Sequence, residues 1–291
     1  MSSHANRKFF CFGLGFTSLS LCDRLLDAGW EIAGTVRSEQ KANLLRERGI
    51  ETFIFDGIQS NPRINKAICE SNFILNSVPI PDSIDPVFDI YGSQIEACPN
   101  LQWFGYLSTT VVYGNHDGAW VSEETACKPS GKRGVNRLQA EQAWASLDLP
   151  LHIFRLAGIY GPGRNALETI KAGKAKRIDK PGQVFSRIHV EDIATALLAS
   201  MDHPEGLPTE AAIYNLCDDE PCEPRDVIEY GCALLGVSLP PLVPYEDANL
   251  SPMGRTFYDD NKRVSNEKIK RDLGVQLGYP NYRVALDELA K

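Results

Sequence analysis

The sequence predicts an α/β fold: a doubly wound parallel sheet followed by a smaller C-terminal α/β substrate region. Three observations predict it. Short apolar runs alternate with helical patterns through the first half of the chain, the sign of β-α-β units. A glycine turn joins the first apolar run to the first helical pattern. The second half is broken instead by Pro- and Gly-rich stretches at Gly161 to Gly163, Pro204 to Pro208 and Pro240 to Pro252.

In order, strands are expected at Lys8 to Phe12, Glu31 to Val36, Thr52 to Phe55, Phe73 to Ser77, Leu101 to Leu107 and Leu151 to Arg155. Leu19, Cys22, Leu25 and Leu26 recur at helical spacing between the first two, and Gly29 supplies a C-terminal stop. Later, Ile193 to Met201 and Arg225 to Leu235 read as helices, the second opening after Pro224. The expected organisation is a doubly wound core over 1–160 and a smaller α/β region over 161–291, with some segments of the latter returning to the core.

Composition narrows the function. With 43% hydrophobic and 23% charged residues in 291, the chain can bury a large core. A net charge of -8 with no dense Lys/Arg block argues against nucleic acid and anionic membranes as partners. The eight cysteines show no Cys-x-x-Cys, and no His pair stands at zinc-finger spacing, so reduced thiols in a cytoplasmic protein are expected and no metal. Arg7-Lys8 and the apolar run from Phe9 to Cys22 look superficially like a secretory signal, but two glycines interrupt the run and an amphipathic pattern follows. Nowhere do 18 apolar residues run together, so no membrane span is expected.

The strongest motif is Gly13-Leu14-Gly15-Phe16-Thr17-Ser18. A dinucleotide needs a tight turn after the first strand, a backbone that can approach the pyrophosphate, and a helix N-terminus whose free N–H groups and dipole meet that anion. Gly13 and Gly15 satisfy the first two needs, and Ser18, small enough for close helix–strand packing, stands where a third glycine is usual. The strand Phe9-Phe10-Cys11-Phe12 before it and the amphipathic helix after it supply the context such a turn requires, that of a Rossmann-type fold.

The cofactor's identity is read at the tip of the second strand. An acid there would accept from both ribose hydroxyls of NAD, whereas an arginine can pair with the 2′-phosphate of NADP. The sequence has Gly34-Thr35-Val36-Arg37 and no acid before Glu39, which favours NADP over NAD. Asp56, after Phe53-Ile54-Phe55, would stand at the tip of the third strand as an acceptor for the adenine amino group, and equally as a turn-initiating residue before Gly57.

Further segments resemble the extended short-chain dehydrogenase/reductase family, its epimerase/dehydratase branch, and within it the atypical members. Besides Gly13 to Ser18 these are Ser108 to Gly114, Arg155 to Gly163, Arg187 to Ala194 and Tyr214 to Leu216, in the family's order. The resemblance implies that Ser77 and Val78 face the middle of the cofactor, that Gly158 and Ile159 lie along the nicotinamide, and that Thr109 takes the position of the catalytic Ser/Thr. Asp192 is expected to cap or anchor a helix, and His189 to be a satisfied structural histidine.

One departure matters. The family uses a Tyr and, one helical turn later, a Lys, with an acid four residues beyond. Glu141 fits that acid, which puts Arg137 at the Lys position and Arg133 at the Tyr position. Arginine stays protonated at physiological pH, so Arg133 cannot shuttle a proton as tyrosine does. Arg137 can still donate to the nicotinamide ribose, or form a surface i,i+4 pair with Glu141. Two cations one turn apart suggest an anion nearby, a substrate carboxylate or phosphate or the cofactor itself, and Tyr106, Tyr113, Tyr160 or His116 could supply the acid. The expected function is an NADP-dependent oxidoreductase, or an epimerase or dehydratase, acting on a small anionic or sugar-nucleotide-like substrate. The alternative is a redox-inactive sensor that binds NADP(H) and acts through a protein partner. Oligomeric state is left open.

Overall fold

The structure is a computed structural model that describes residues 7–81, 83–202 and 211–291; the Pro204 to Pro208 stretch lies outside the described residues. Its centre is a seven-stranded sheet built from β1 (Lys8–Phe12), β2 (Glu31–Val36), β3 (Glu51–Ile54), β4 (Phe73–Asn76), β5 (Trp103–Thr109), β6 (Leu151–Leu156) and β7 (Ala212–Leu216). The strand order is β7-β6-β5-β4-β1-β2-β3. β1 runs parallel to both β2 and β4, β2 to β3, and β4 to β5.

Strands covered on both faces should read as continuous apolar runs rather than alternating ones. That holds for β1, where Phe9, Phe10, Cys11 and Phe12 are all buried, and for β4 and β6, buried throughout. Aromatic side chains fill one side: Phe10 and Phe12 pack with Phe53, Phe55 and Tyr91, with ring centroids between 4.8 and 6.3 Å apart. Each such side chain contributes roughly 1.5–3 kcal/mol on burial.

The helices start where local chemistry lets them. α1 (Phe16–Asp27) buries Leu21, Cys22 and Leu25 and ends at Ala28, followed by Gly29 at φ 79°. α2 (Glu39–Glu47) is capped by Ser38; α3 (Pro62–Glu70) by Asn61, whose side chain accepts from the Arg63 amide; α4 (Pro86–Glu96) by Asp85, which accepts from Val87 and Phe88. Pro at the first position of α3 and of α4 gives up no hydrogen bond, since that amide has no intrahelical partner. α5 spans Lys132–Ala145, and further helices include Val190–Met201, Pro224–Leu235 and Tyr282–Leu289.

Element ends differ slightly from the sequence expectation. β3 begins at Glu51 rather than Thr52, and β5 runs from Trp103 to Thr109 rather than from Leu101 to Leu107. The reason at β5 is a turn: the Leu101 amide donates to the Cys98 carbonyl, and the Gln102 amide to Asn72 before the ladder with β4 begins. The edge strand β7 was expected only as the motif Tyr214 to Leu216.

The chain forms two compact units, neither a single stretch. One comprises the residues up to Ser108, Asn136–Arg155 and Ile193–Tyr214; the other comprises Thr109–Val135, Leu156–Asp192 and Asn215–Lys291. In the second unit short parallel ladders pair Arg187–His189 with Gly158–Tyr160, Leu242–Pro244 with Arg177–Asp179, and Arg263–Val264 with Trp120–Val121. No helix among the described residues is long and apolar enough to cross a membrane.

Candidate cofactor site

In the first unit the sheet order reverses at β1: the chain passes from β1 to β2 and β3 on one side, and the crossover from β3 returns it to β4 on the other. Ligands of open α/β sheets bind outside the carboxyl ends of strands at such a point. The Gly13 to Ser18 turn occupies it. Gly13 stands at φ +85°, its amide donating to Thr35 Oγ1 at 2.9 Å, while the Leu14 amide donates to the Thr35 carbonyl at 2.8 Å. The Ser18 hydroxyl accepts from the Gly15 amide and donates to the Gly13 carbonyl, both at 2.8 Å. Ser18 thus closes the turn on itself, a task a third glycine could not perform.

The two glycines have different physical reasons. A Cβ on Gly13 would lie 3.3 Å from the Ser77 carbonyl and from the Val78 side chain, so Gly13 serves the fold by positive φ and by close approach. A Cβ on Gly15 would meet only the Gly13 carbonyl at 3.8 Å, so it would project into open space at the start of α1. The N-cap of that helix is Gly15 itself, which has no side chain to offer, and the Ser18 hydroxyl is taken up by the Gly15 amide and the Gly13 carbonyl. A cradle that the fold does not need and a side chain would fill is what a bound pyrophosphate requires. Gly34, across on β2, is forced by the same packing: a Cβ there would stand 2.5 Å from the Cys11 carbonyl and 2.9 Å from Leu14.

Arg37 is exposed, following β2 directly, and Asp56 is exposed beyond β3; the Phe55 amide donates to the Val36 carbonyl, so these are the tips of paired strands. Asp56 Oδ1 accepts from the Ile58 amide at 2.9 Å, forming the expected turn. Ser77 and Val78 are half-buried after β4, where the Ser77 amide donates to Phe12. A network that sequence reasoning missed holds this segment. Buried Asn76 accepts from the Val78 amide and donates to Asp85 Oδ2 at 3.0 Å, and Trp144 Nε1 donates to the same oxygen at 3.1 Å. A polar residue at the end of an apolar strand, with an Asp before a Pro nine positions on, is the signal that could have found it.

On α5, Arg137 is half-buried: Nη1 donates to the Tyr106 hydroxyl at 2.7 Å and to the Leu107 carbonyl at 3.1 Å, and the guanidinium lies 5.4 Å from the Tyr106 ring centre. Burial pushes the Tyr106 phenol well above its ordinary value, against the lowering influence of Arg137, so Tyr106 stays protonated. Glu141 is not on the surface. It is buried, accepting from Arg155 Nη2 at 2.7 Å and Nε at 3.2 Å, and from the Ser108 hydroxyl. The acid of the resembled pattern is therefore half of a buried, bidentate ion pair that ties α5 to β5 and β6.

In the second unit Thr109 is half-buried and its Oγ1 accepts from the Val111 amide at 3.4 Å, capping a short 3-10 helix over Thr110–Tyr113. Arg133 is exposed, its guanidinium 5.9 Å from the ring centre of Phe257. Gly158 is exposed and Ile159 half-buried in their two-stranded ladder, where the Gly158 amide donates to the Ser186 carbonyl. Tyr113 is structural: fully buried, it donates to Asn215 Oδ1 at 2.8 Å. Asp192 anchors a loop, accepting from the Gly278 amide at 2.7 Å and the Tyr279 amide at 3.0 Å. His189 corrects the expectation of a satisfied histidine: Nδ1 accepts from the Glu191 amide, but buried Nε2 has no partner, because Tyr279 and Tyr160 offer ring faces and edges rather than acceptors.

No protein-family model matches the chain. It is 25% identical to Protein YeeZ of Escherichia coli K12, covering 94% of this chain and 97% of that protein. In three dimensions it is similar to the UDP-glucuronic acid 4-epimerase of Bacillus cereus in complex with NAD, with a TM-score of 0.78 and 16% identity over 97% of this chain and 98% of the other. A protein of Silicibacter pomeroyi DSS, described as functionally unknown and conserved, superposes with a TM-score of 0.89 and is 47% identical over 97% of this chain and 98% of its own. The chain accordingly belongs to the same family as that Silicibacter pomeroyi protein, and it shares the fold of the epimerase and dehydratase structures among its neighbours.

Proposed function

We propose that this chain binds a nicotinamide dinucleotide, NADP(H) in preference to NAD(H), and uses it as an oxidoreductase or an epimerase/dehydratase on a small anionic or sugar-nucleotide-like substrate. The observation that carries the reading is the open space at Gly15, the N-cap of a twelve-residue helix at the reversal point of the sheet. There α1 begins, and the pyrophosphate would lie against the positive end of its dipole. Leu14 is buried and shapes the turn. Ser77 and Val78 would border the middle of the cofactor, with Gly158 and Ile159 along the nicotinamide and Asp56 toward the adenine.

The NADP preference rests on Arg37, an exposed cation where the 2′-phosphate would fall, although the Bacillus cereus epimerase is in complex with NAD. When bound, the nicotinamide supplies hydride chemistry. The chain's own residues bind and orient. Arg137, locked by Tyr106 and Leu107, would hold the ribose as the family's lysine does. Thr109, whose oxygen already accepts from Val111, has its hydroxyl proton left to donate to a substrate oxygen. Arg133 would act as an anion clamp, not as an acid or base.

A thermal-shift comparison tests the binding half. A ligand at about 100 times its dissociation constant adds about 2.7 kcal/mol of stability, so NADPH should raise Tm by several degrees, NADH by less, and Arg37→Ala should erase the difference without lowering the Tm of the free protein. Equal shifts in the wild type refute the NADP assignment, and no shift with either refutes dinucleotide binding. Product analysis by NMR over a panel of sugar nucleotides and small carboxylated carbonyl compounds tests the catalytic half. Arg133→Ala should raise KM for the active compound far more than it alters NADPH affinity. A panel without turnover by cofactor-loaded protein refutes the enzymatic assignment.

A further inference from the structure

Away from the cofactor turn, two thiols meet. Cys69 lies in the last turn of α3, and Cys98 directly follows Ala97, the C-cap of α4; their Sγ atoms are 3.5 Å apart. The contact is oriented. Cys98 Sγ also donates to the Gln94 carbonyl at 3.1 Å, and Gln94 Nε2 donates to Cys69 Sγ at 3.5 Å, so Gln94 holds both sulfurs in place. Cys69 is partly exposed, whereas Cys98 is buried. A disulfide needs the sulfurs at about 2.05 Å, about 1.5 Å closer than they stand here.

We propose that Cys69 and Cys98 form a peroxide-oxidisable thiol pair that closes into a disulfide joining α3 to the end of α4. In the first step the Cys69 thiolate attacks a hydroperoxide: an S–O bond forms, the O–O bond breaks, sulfur loses two electrons and the displaced oxygen leaves as alcohol or water. In the second, the Cys98 sulfur attacks the sulfenic sulfur: the S–S bond forms, the S–O bond breaks, and hydroxide leaves with the Cys98 proton as water. Overall two thiols and one hydroperoxide give a disulfide, water and an alcohol, or a second water from hydrogen peroxide. The order of attack follows from burial, which pushes the Cys98 thiol up to about 12 and keeps it protonated, while Cys69 is the sulfur that a solute can reach. Cys127, also partly exposed, is the internal comparison.

The tie falls at the far end of α4 from Asp85, the residue that holds the segment after β4. Eleven helical residues separate the two ends, roughly 16 Å at 1.5 Å per residue. The oxidised protein should therefore bind a dinucleotide as the reduced one does, so this site and the cofactor assignment stand or fall separately.

The test treats the full-length protein with hydrogen peroxide, blocks remaining thiols, and maps the digest by mass spectrometry. The expected result is a Cys69–Cys98 linked peptide, lighter than its parts by two hydrogens and reversed by dithiothreitol. In Cys98→Ala a dimedone adduct should accumulate on Cys69; in Cys69→Ser the buried Cys98 should stay reduced. Closing a loop of this length should also raise the wild-type Tm by a few degrees, and neither variant should show the rise. Failure of the linked peptide to form while Cys127 becomes oxidised overturns the proposal, as does oxidation of Cys98 in Cys69→Ser as fast as that of Cys69 in Cys98→Ala. The wild-type mapping needs no variant to fold.

Discussion

Gly15→Val separates ligand space from folding space. The valine Cβ would meet no atom nearer than the Gly13 carbonyl at 3.8 Å, and the backbone at φ -109°, ψ -165° is an extended conformation that a β-branched residue adopts readily. The folding cost is that of a poorer helix cap, about 1 kcal/mol, or roughly 2–4 °C in Tm for a chain of this class. The cost to binding is larger. A phosphate oxygen held by amides at the start of α1 makes charge-assisted hydrogen bonds of about 1.5–3 kcal/mol each, and a branched side chain in its place would remove at least two, hence a loss of about 100-fold or more in affinity. Titration calorimetry with NADPH beside urea denaturation reads both quantities. Gly13→Ala should behave in the opposite way, since its φ of +85° and the 3.3 Å approach to Ser77 load the cost onto folding. Affinity within a few-fold of wild type in folded Gly15→Val would refute the placement of the pyrophosphate at this turn.

Three further outcomes are expected. Glu141→Gln leaves the buried Arg155 guanidinium without its counter-charge and should cost about 3–5 kcal/mol in urea denaturation; a loss below about 1 kcal/mol would mean the pair is hydrated. Buried His152, with neither ring nitrogen partnered, is pushed by burial down to about 4 from 6.5. The unfolded chain therefore takes up the proton first, so stability is full above about pH 6.5 and falls as pH drops toward 4, by about 3 kcal/mol; His152→Phe should flatten that slope, and an unchanged slope would show that other groups set it. For Asp218 the sign reverses. Burial raises its carboxyl to about 8 from 3.8, against the lowering influence of Arg187, so the folded protein holds the proton longer and stability is lost as pH rises from about 4 to 8. Asp218→Asn should raise Tm at pH 8 and leave it little changed near pH 4, a pattern that equal Tm changes at both values would contradict.

The sheet was legible because its cause is local. Phe9-Phe10-Cys11-Phe12, Phe73 to Asn76 and Leu151 to Leu156 are continuous apolar runs, and a strand buried on both faces needs nothing more. The glycine turn was legible for a similar reason, since positive φ at Gly13 and the start of a helix at Phe16 are properties of a few consecutive residues. What the sequence by itself determined was thus the α/β layering, the position of the turn, and the chemical impossibility of Arg133 as a proton shuttle. Tertiary structure alone decided which partners distant polar residues take. Whether Glu141 is a surface partner of Arg137 or a buried partner of Arg155 depends on how α5 lies against β6, and helical spacing is compatible with both. That Asn76, Asp85 and Trp144 share one network, that Thr35 braces Gly13, and that Cys69 touches Cys98 are likewise contacts between residues 9 to 59 positions apart. Periodicity records which face of an element is apolar, but a hydrogen bond or ion pair across the fold is fixed by the packing that brings its two ends together.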